Sequence, residues 1–333
     1  MKNQTEFANE GQALIRPDTG SGYKGGEVLF ANSSRFLETY FSEPLTNYAV
    51  GWRDPNDIEA SLQFIAPTVQ VGRRFEWKAA ANAEEFLSET IDDERAIGSD
   101  FKRVEYTASD VTDKTLNKGL TYIADLDNVS GPNWQNDKVG KLLRRLYRNE
   151  FRRGIAALSA AATNTAVTWD TTAGKNPDQD LLSGLLTATT TTGIRPNRIM
   201  YGDTAFYKRG YSYEGQTGST AFGQVAALNL EQLAARLMVD KVKVSRERYQ
   251  SSASAKSEIV SNLVFGFFAE DGVDTEDPSN IKRFVSAFDA EQGGGLVRVY
   301  LQQISAKLVA ITVEHYSKII VTYSAGILQW TVS

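Results

Sequence analysis

The chain has 333 residues, of which 41% are hydrophobic and 23% are charged, and this length predicts two domains or one large one. Its 36 basic and 41 acidic side chains give a net charge of −5, which argues against a protein built as a whole to bind nucleic acid. It contains no cysteine and one histidine, His315, so disulfides, thiolate nucleophiles and zinc sites made of Cys and His are excluded within a single chain.

The beginning of the sequence is polar. Residues 1–30 contain several glycines and no periodic apolar pattern, which predicts an extended arm, and a short helix is predicted at Ser34–Phe41, ended by Pro44. The first residues lack the apolar core of a signal peptide, and no run of 18 apolar residues predicts a membrane-spanning helix. We therefore expect a chain that is assembled in the cytoplasm and has no membrane partner.

The next region encloses an acidic segment. Val71, Phe75 and Trp77 alternate with charged residues in a strand pattern, and Phe101–Tyr106 is predicted to return as a second strand. Residues 84–100 carry seven acids against one base, a local charge of −6, with few apolar residues to bury, which predicts a projecting loop. Its acids are Glu84, Glu85, Glu89, Asp92, Asp93, Glu94 and Asp100. A further strand is predicted at Leu120–Leu126.

A long amphipathic helix is predicted from about Asp137 to Ala161, with Asn136 as its N-cap. Residues 141–153 of this helix carry six bases against Glu150, a local charge of +5. The bases are Lys141, Arg144, Arg145, Arg148, Arg152 and Arg153. Two interpretations stay open: a solvated or salt-bridged polar face, or a surface that binds a polyanion or the acidic loop of a neighbour.

Helices and strands alternate over residues 165–275, which indicates an α/β or α+β unit. One helix is predicted from Pro177, capped by Asn176, to its exit at Gly193. A strand at Arg198–Tyr201 precedes a brief helix, capped by Asp203 or Thr204, that ends by Gly210. The remaining predicted elements are a helix at Leu228–Met238 and strands at Lys241–Ser245 and Leu263–Phe268.

The end of the chain is rich in predicted strands. Phe284–Phe288 and Leu296–Leu301 flank Gly293, Gly294 and Gly295, which predicts a hairpin because glycine adopts the positive φ of a tight turn. Further strands are predicted at Leu308–Val313 and Ile319–Tyr323.

Residue types alone indicate no active site. His315 lies in a strand-like stretch and is interpreted as a structural histidine. Asp125 and Asp127 share one face of a predicted strand and could hold a hard cation, but paired strand acids are more often solvated or ion-paired. We therefore expect no catalytic residue, no cofactor and no metal, and do not expect an enzyme.

The order of these parts resembles the major capsid proteins of tailed bacteriophages, whose fold is shared by herpesvirus capsid floors and encapsulin shells. Phe101–Leu158 is similar to the strand, loop and spine-helix block of that family. Asn176–Gly210, which contains Arg195-Pro196-Asn197, is similar to the segment that opens its apical domain. The resemblance covers essentially the whole chain, and it depends on the order and spacing of weak motifs.

The resemblance implies an α+β capsid fold in four parts. These are an N-terminal arm (1–45), an extended loop over a neighbouring subunit (69–106), a peripheral domain with the spine helix (107–165 and 281–333) and an α/β axial domain (166–280). The inter-subunit residues would then be Arg73, Arg74 and the acids Glu84, Glu85, Glu89, Asp92, Asp93 and Glu94. The cations that face DNA or a neighbour would be Lys141, Arg144, Arg145, Arg148 and Arg152.

The function implied is self-assembly into an icosahedral shell around a double-stranded DNA phage genome. The expected partners are copies of the chain in pentamers and hexamers, scaffolding and portal proteins, and packaged DNA in non-specific contact. The expected location is the virion, after assembly in the host cytoplasm. Because the chain begins directly at the arm, we expect scaffolding from a separate protein or none, and Lys78 is not expected to form a crosslink. The alternatives are an encapsulin-type shell around a protein cargo and an α/β enzyme.

Overall fold

The computed structural model describes residues 40–54, 57–79, 94, 100, 109–216, 225–271, 278–288 and 295–333. These residues divide between two compact units. Unit 1 contains the described part of Met1–Trp52, together with Gly119–Leu143 and Phe288–His315; unit 2 contains the described parts of Arg53–Lys118, Arg144–Ala287 and Tyr316–Ser333.

Helices and strands contribute in similar measure, so the chain is an α+β protein, as predicted. The helices are α1 (Glu43–Gly51), α2 (Ile58–Ile65), α3 (Trp134–Ala161), α4 (Pro177–Thr192), α5 (Asp203–Glu214) and α6 (Leu230–Leu237). The first strands are β1 (Thr68–Gln70), β2 (Arg74–Ala79), β3 (Ser109–Lys114), β4 (Leu116–Asp125), β5 (Thr163–Val167), β6 (Arg198–Gly202) and β7 (Lys241–Ser245). The others are β8 (Arg248–Gln250), β9 (Lys256–Glu258), β10 (Leu263–Phe267), β11 (Ile281–Ser286), β12 (Val297–Gln303), β13 (Leu308–Val321) and β14 (Leu328–Val332).

The long helix α3 has 28 residues and, at 1.5 Å per residue, is about 42 Å long. Its predicted apolar stripe is confirmed, because Leu143, Tyr147, Phe151, Ile155 and Leu158 are all buried. The predicted N-cap is wrong. The helix begins at Trp134, so Asn136 already lies within its first turn.

Unit 2 contains a five-stranded sheet in the order β5-β14-β10-β6-β7. Helices α4, α5 and α6 contribute to a core in which the side chains of Leu181, Leu185, Tyr201, Leu233 and Trp330 are buried together. The predicted boundaries of α4 are confirmed. The Asn176 side chain accepts a hydrogen bond from the Gln179 backbone N–H, and Gly193 ends the helix at φ 74°.

Two helices of this unit differ from their prediction. α5 continues past Gly210 to Glu214, and its N-cap is Gly202, whereas Asp203 and Thr204 lie inside the helix. Gly202 suits this position because an added Cβ would lie 1.8 Å from the Ser261 carbonyl oxygen. α6 is shorter than predicted, since the capping box of Asn229 and Gln232 fixes its start and Met238, in left-handed conformation, ends it.

The prediction that Pro44 ends a helix is wrong. The predicted helix Ser34–Phe41 lies outside the described residues, apart from Tyr40 and Phe41. Pro44 does not end a helix but lies in the first turn of α1, where its missing N–H removes no hydrogen bond. Helices α1 and α2 and strands β5 and β14 were not predicted.

The strands at the end of the chain pair differently from the prediction. Leu308–Val313 and Ile319–Tyr323 do not form two strands, because β13 runs unbroken from Leu308 to Val321. β12 is antiparallel to residues 309–315 of β13, and β11 is antiparallel to residues 316–321. In the described residues the two segments that flank the glycine run meet only at the Phe288–Gly295 bridge, so the predicted hairpin between them is wrong. Strands β11 and β12 each pair with the long strand β13 and not with each other.

The predicted loop begins and ends on a two-stranded ribbon. β2 is antiparallel to β3, with Arg74 opposite Lys114 and Ala79 opposite Ser109. The predicted return strand Phe101–Tyr106 and the segment 84–100, except Glu94 and Asp100, lie outside the described residues. The predicted strand at Leu120–Leu126 is confirmed as part of β4.

Candidate functional site

The structure describes only some of the predicted inter-subunit residues. Glu84, Glu85, Glu89, Asp92 and Asp93 lie outside the described residues, whereas Glu94 is described and exposed. Arg73 and Arg74 are exposed where the β2–β3 ribbon begins. The Arg73 guanidinium lies 4.3 Å from the centroid of the Tyr316 ring, a cation–π contact.

The base of this ribbon is attached to the paired strands β11 and β13. Lys318 of β13 donates a hydrogen bond of 2.6 Å to the Asp113 carboxylate of β3. Burial raises the pKa of Asp113, but hydrogen bonding and charge from Lys318 and Lys114 outweigh this and hold the pKa below its ordinary value. The Thr115 and Ser286 hydroxyls lie 2.8 Å apart. The two strands that flank the segment between Ala79 and Ser109 are therefore held at a fixed base.

Three of the predicted helix cations have partners within unit 2. Arg144 Nε donates a 2.8 Å hydrogen bond to the buried Asp54 carboxylate. Arg148 pairs with Glu247 at 3.4 Å, and the Arg152 guanidinium lies 3.9 Å from the centroid of the Tyr249 ring. These contacts favour the salt-bridged interpretation for this part of the helix.

The other two predicted cations, Lys141 and Arg145, are exposed. Neither makes an ion pair with any residue that the structure describes. They are the members of the predicted set whose charge remains available to a partner.

Glu150 of α3 is the centre of a buried ionic cluster in unit 2. In the sequence it is notable only as the acid among the helix cations. Its side chain has no exposed surface and accepts hydrogen bonds of 2.8 Å from Lys118, 2.7 Å from Arg153 and 2.8 Å from Ser317. Arg283 lies 3.8 Å away. Burial lowers the pKa of Lys118, and the charge of Glu150 opposes this shift. The sequence could have indicated this cluster, because Glu150 directly precedes Phe151 of the buried apolar stripe.

A second buried cluster holds the three helices of the α/β region together. The Asp178 carboxylate of α4 accepts hydrogen bonds of 2.7 and 3.0 Å from Arg209 of α5 and one of 2.6 Å from Arg236 of α6. The Tyr213 hydroxyl accepts from the Asp178 backbone N–H, and burial raises the pKa of Tyr213 to about 12. Both carboxylate oxygens are occupied, so this cluster positions helices and does not resemble a reactive site. The sequence predictions did not identify it.

A concave surface of unit 2, which we call the basic groove, has a volume of about 1000 Å³. Its lining contains one acid, Glu247, and its apolar wall contains Phe206, Leu228 and Leu230. The lining cations are Arg148, Lys243, Arg246, Arg248 and Lys256. Only Arg148 of these was among the predicted site residues, because the others are separated along the sequence and no periodicity connects them.

The other candidates from the sequence, His315, Asp125 and Asp127, make contacts within the chain. His315 is buried in β13, opposite Val297 of β12. Asp125 accepts a hydrogen bond from the Asp127 backbone N–H, and Asp127 pairs with Lys307. The described residues contain no group of three or more metal-ligating side chains. Among them, too, no helix has the length and apolar character to cross a membrane.

Comparison with known proteins identifies the fold. No protein-family model and no curated protein matches the sequence. The chain is similar to a phage-related protein from Bordetella bronchiseptica RB50, with 17% identity and a TM-score of 0.62 over 87% of this chain and 96% of that one. The capsid structure of cyanophage P-SCSP1u matches at 10% identity and a TM-score of 0.46, covering 81% of this chain and 87% of that one. The SrpI encapsulin complex from Synechococcus elongatus PCC 7942 matches at 12% identity and a TM-score of 0.48, covering 85% and 90%.

Of these three, the Bordetella protein has a TM-score above 0.5, so the chain shares its fold with a phage-related protein, as the predicted resemblance implied. At these identities the likeness shows the fold alone.

Proposed function

We propose that this chain is the major capsid protein of a tailed bacteriophage and that it self-assembles into an icosahedral shell around a double-stranded DNA genome. The observation that carries the proposal is the fold, shared over 87% of the chain with a phage-related protein. The order of arm, charged segment, spine helix and α/β region in the sequence supports it. In this proposal the chain acts in the virion as a structural protein rather than as an enzyme.

The local geometry is consistent with a subunit whose contacts are made by its periphery. The Glu150 and Asp178 carboxylates are buried and paired within the chain, so neither acid is left to contact a partner. The exposed cations Arg74, Lys141 and Arg145 are left for partners. The ion pair of Lys318 and Asp113 fixes the base of the β2–β3 ribbon, whose strands flank the acidic segment in the sequence.

We assign the parts of the chain as the resemblance implies. Residues 1–45 form the arm and 69–106 the extended loop over a neighbour. Residues 107–165 and 281–333 form the peripheral domain, and residues 166–280 form the axial domain. Further partners in this proposal are scaffolding and portal proteins and, through non-specific contacts, the packaged DNA.

Electron microscopy of the purified full-length chain, combined with analysis of particle contents, tests the proposal. We expect closed shells, and particles from infected or induced cells should contain double-stranded DNA. Uniform small shells that enclose a protein cargo and no DNA would instead identify an encapsulin-type compartment. A chain that forms neither closed shells nor pentamers or hexamers would contradict both assignments.

A further inference from the structure

The cations that line the basic groove differ in how far they are neutralised within unit 2. Arg148 pairs with Glu247, and Arg248 pairs with Asp203 at 3.1 Å and with Glu258 at 3.0 Å. These side chains are therefore held in place by the chain itself and form part of the wall.

Arg246 and Lys256 are different. The Arg246 side chain is 81% exposed, and its nearest acid is Asp203 at 3.8 Å, the limit for an ion pair. Lys256 is exposed on β9 and makes no ion pair with a described residue. The open side of the groove therefore carries positive charge that the surrounding chain does not fully compensate.

The groove also has an apolar side. Phe206, Leu228 and Leu230 line it, and Leu230 is 37% exposed. A suitable occupant must therefore offer negative charge and apolar side chains at close spacing. A phosphate backbone would match the cations, but it would leave these apolar side chains unmatched and would approach the carboxylate of Glu247.

The sequence of the chain itself contains such an occupant. Residues 84–89 read Glu-Glu-Phe-Leu-Ser-Glu, with Phe86 and Leu87 between three carboxylates, and the whole segment 84–100 has a charge of −6. The groove is large enough for several residues of a peptide rather than for one side chain. Its charge and its lining both complement this segment.

We propose that the basic groove of one copy binds the acidic segment around Glu84–Glu94 of a second copy. This inference rests on the proposed function, because it names the contact through which neighbouring subunits of a shell would recognise each other. It moves the acceptor surface from the spine helix, where Arg144, Arg148 and Arg152 already have partners, to the groove beside it. Complementary charge of this kind sets specificity and association rate more than affinity.

The direct test measures binding of a fluorescently labelled peptide of residues 84–100 to the full-length chain by anisotropy. Replacing two attractive charges by repulsive ones in R246E/K256E should weaken binding by about tenfold at low salt, and added salt should reduce the difference. The matched control is K241E/K307E, which reverses two exposed lysines that do not line the groove and should bind the peptide as the wild type does. Equal binding by R246E/K256E and the wild type would overturn the proposal, as would a larger loss in K141E/R145E, which would place the acceptor on the spine helix.

Assembly provides the second readout and shows whether the contact is between copies. E84K/E85K/E89K and R246E/K256E should each assemble poorly. An equimolar mixture should recover six-membered rings, because alternating copies bring each reversed segment against a reversed groove, whereas a ring of five cannot alternate and should remain impaired. If the contact formed within one chain, mixing would restore nothing, which would overturn the proposal. Normal R246E/K256E shells that fail only to retain DNA would also overturn it and indicate a phosphate ligand.

The two proposals fail separately. If the wild type remains a monomer, the proposed function is contradicted, and the peptide measurement still decides whether the groove binds the acidic segment. If the wild type forms shells and R246E/K256E forms them equally well, the groove inference alone is overturned.

Discussion

The buried acids Glu150 and Asp178 are each paired with cationic side chains. Glu150 and Asp178 have side chains with no exposed surface, and each accepts hydrogen bonds from at least two cationic side chains. A buried ion pair contributes little net stability over an apolar pair, but losing one partner is costly because the other is left buried and charged. These acids should therefore be among the polar positions least tolerant of substitution.

We expect Glu150→Gln to lower the free energy of unfolding by about 3–5 kcal/mol, since it leaves the buried Arg283 and the partly buried Lys118 without their counter-charge. Arg153→Gln is the matched control. Its side chain is 52% exposed, and its loss should cost about 0–1 kcal/mol. Urea denaturation of the unassembled subunit measures both, and similar small losses would contradict the buried-cluster interpretation.

Asp113 gives a pH-dependent prediction. Its pKa is lowered in the folded chain, so its contribution to stability is complete above the unfolded value near pH 4 and is lost as the pH falls through the lower folded value. Asp113→Asn should therefore be less stable than the wild type by about 1 kcal/mol at pH 6, and the difference should disappear near pH 2. Thermal unfolding at the two pH values checks this. An undiminished difference at pH 2 would show that the ion pair with Lys318 is not its cause, and Asp110→Asn on the same strand provides the control.

Single residues were predictable where the signal was local. Asn176 and Gly193 have the side chain and the backbone freedom that helix ends require, so the sequence identified both. The partners of Arg144 and Arg148 were not predictable, because Asp54 and Glu247 lie far away along the chain. The basic groove was missed for the same reason.

At the scale of helices and strands, close packing limits which glycines can be replaced. Gly184 of α4 faces Trp330 of β14, and an added Cβ would lie 2.6 Å from the indole ring. Gly210 of α5 has nothing within 4 Å of the corresponding position. Both are interior helix positions, where alanine is otherwise preferred to glycine.

Gly184→Ala should therefore destabilise the chain by about 1–3 kcal/mol through overpacking, offset in part by helix propensity. Gly210→Ala should stabilise it by about 0.5–1 kcal/mol. Chemical denaturation of both variants measures the two effects, and changes of the same sign would contradict the packing described for α4 and β14.

The elements themselves were predictable in proportion to their periodicity. The stripe of α3 and the strands β6, β7 and β10 followed from the spacing of apolar residues. The pairing of β11 and β12 with one long strand did not, because strand pairing depends on partners remote in sequence. Pro44 was misread because proline is compatible both with the residues after a helix and with its first turn.

At the scale of the whole chain, residues 1–30 should serve assembly rather than folding, since they contain no periodic apolar pattern. Deleting them should leave the thermal unfolding of the subunit nearly unchanged while shell formation fails or becomes irregular. Calorimetry and electron microscopy of the truncated chain measure these two properties. An unfolded, aggregated product would show that these residues belong to a domain core.

The central claim, that this chain is a shell subunit, is tested most directly by the mass of the purified full-length chain in solution. Sedimentation velocity and light scattering across a range of salt and protein concentrations should show pentamers, hexamers or closed particles of megadalton mass. A species that remains at 36.7 kDa under every condition would contradict the claim.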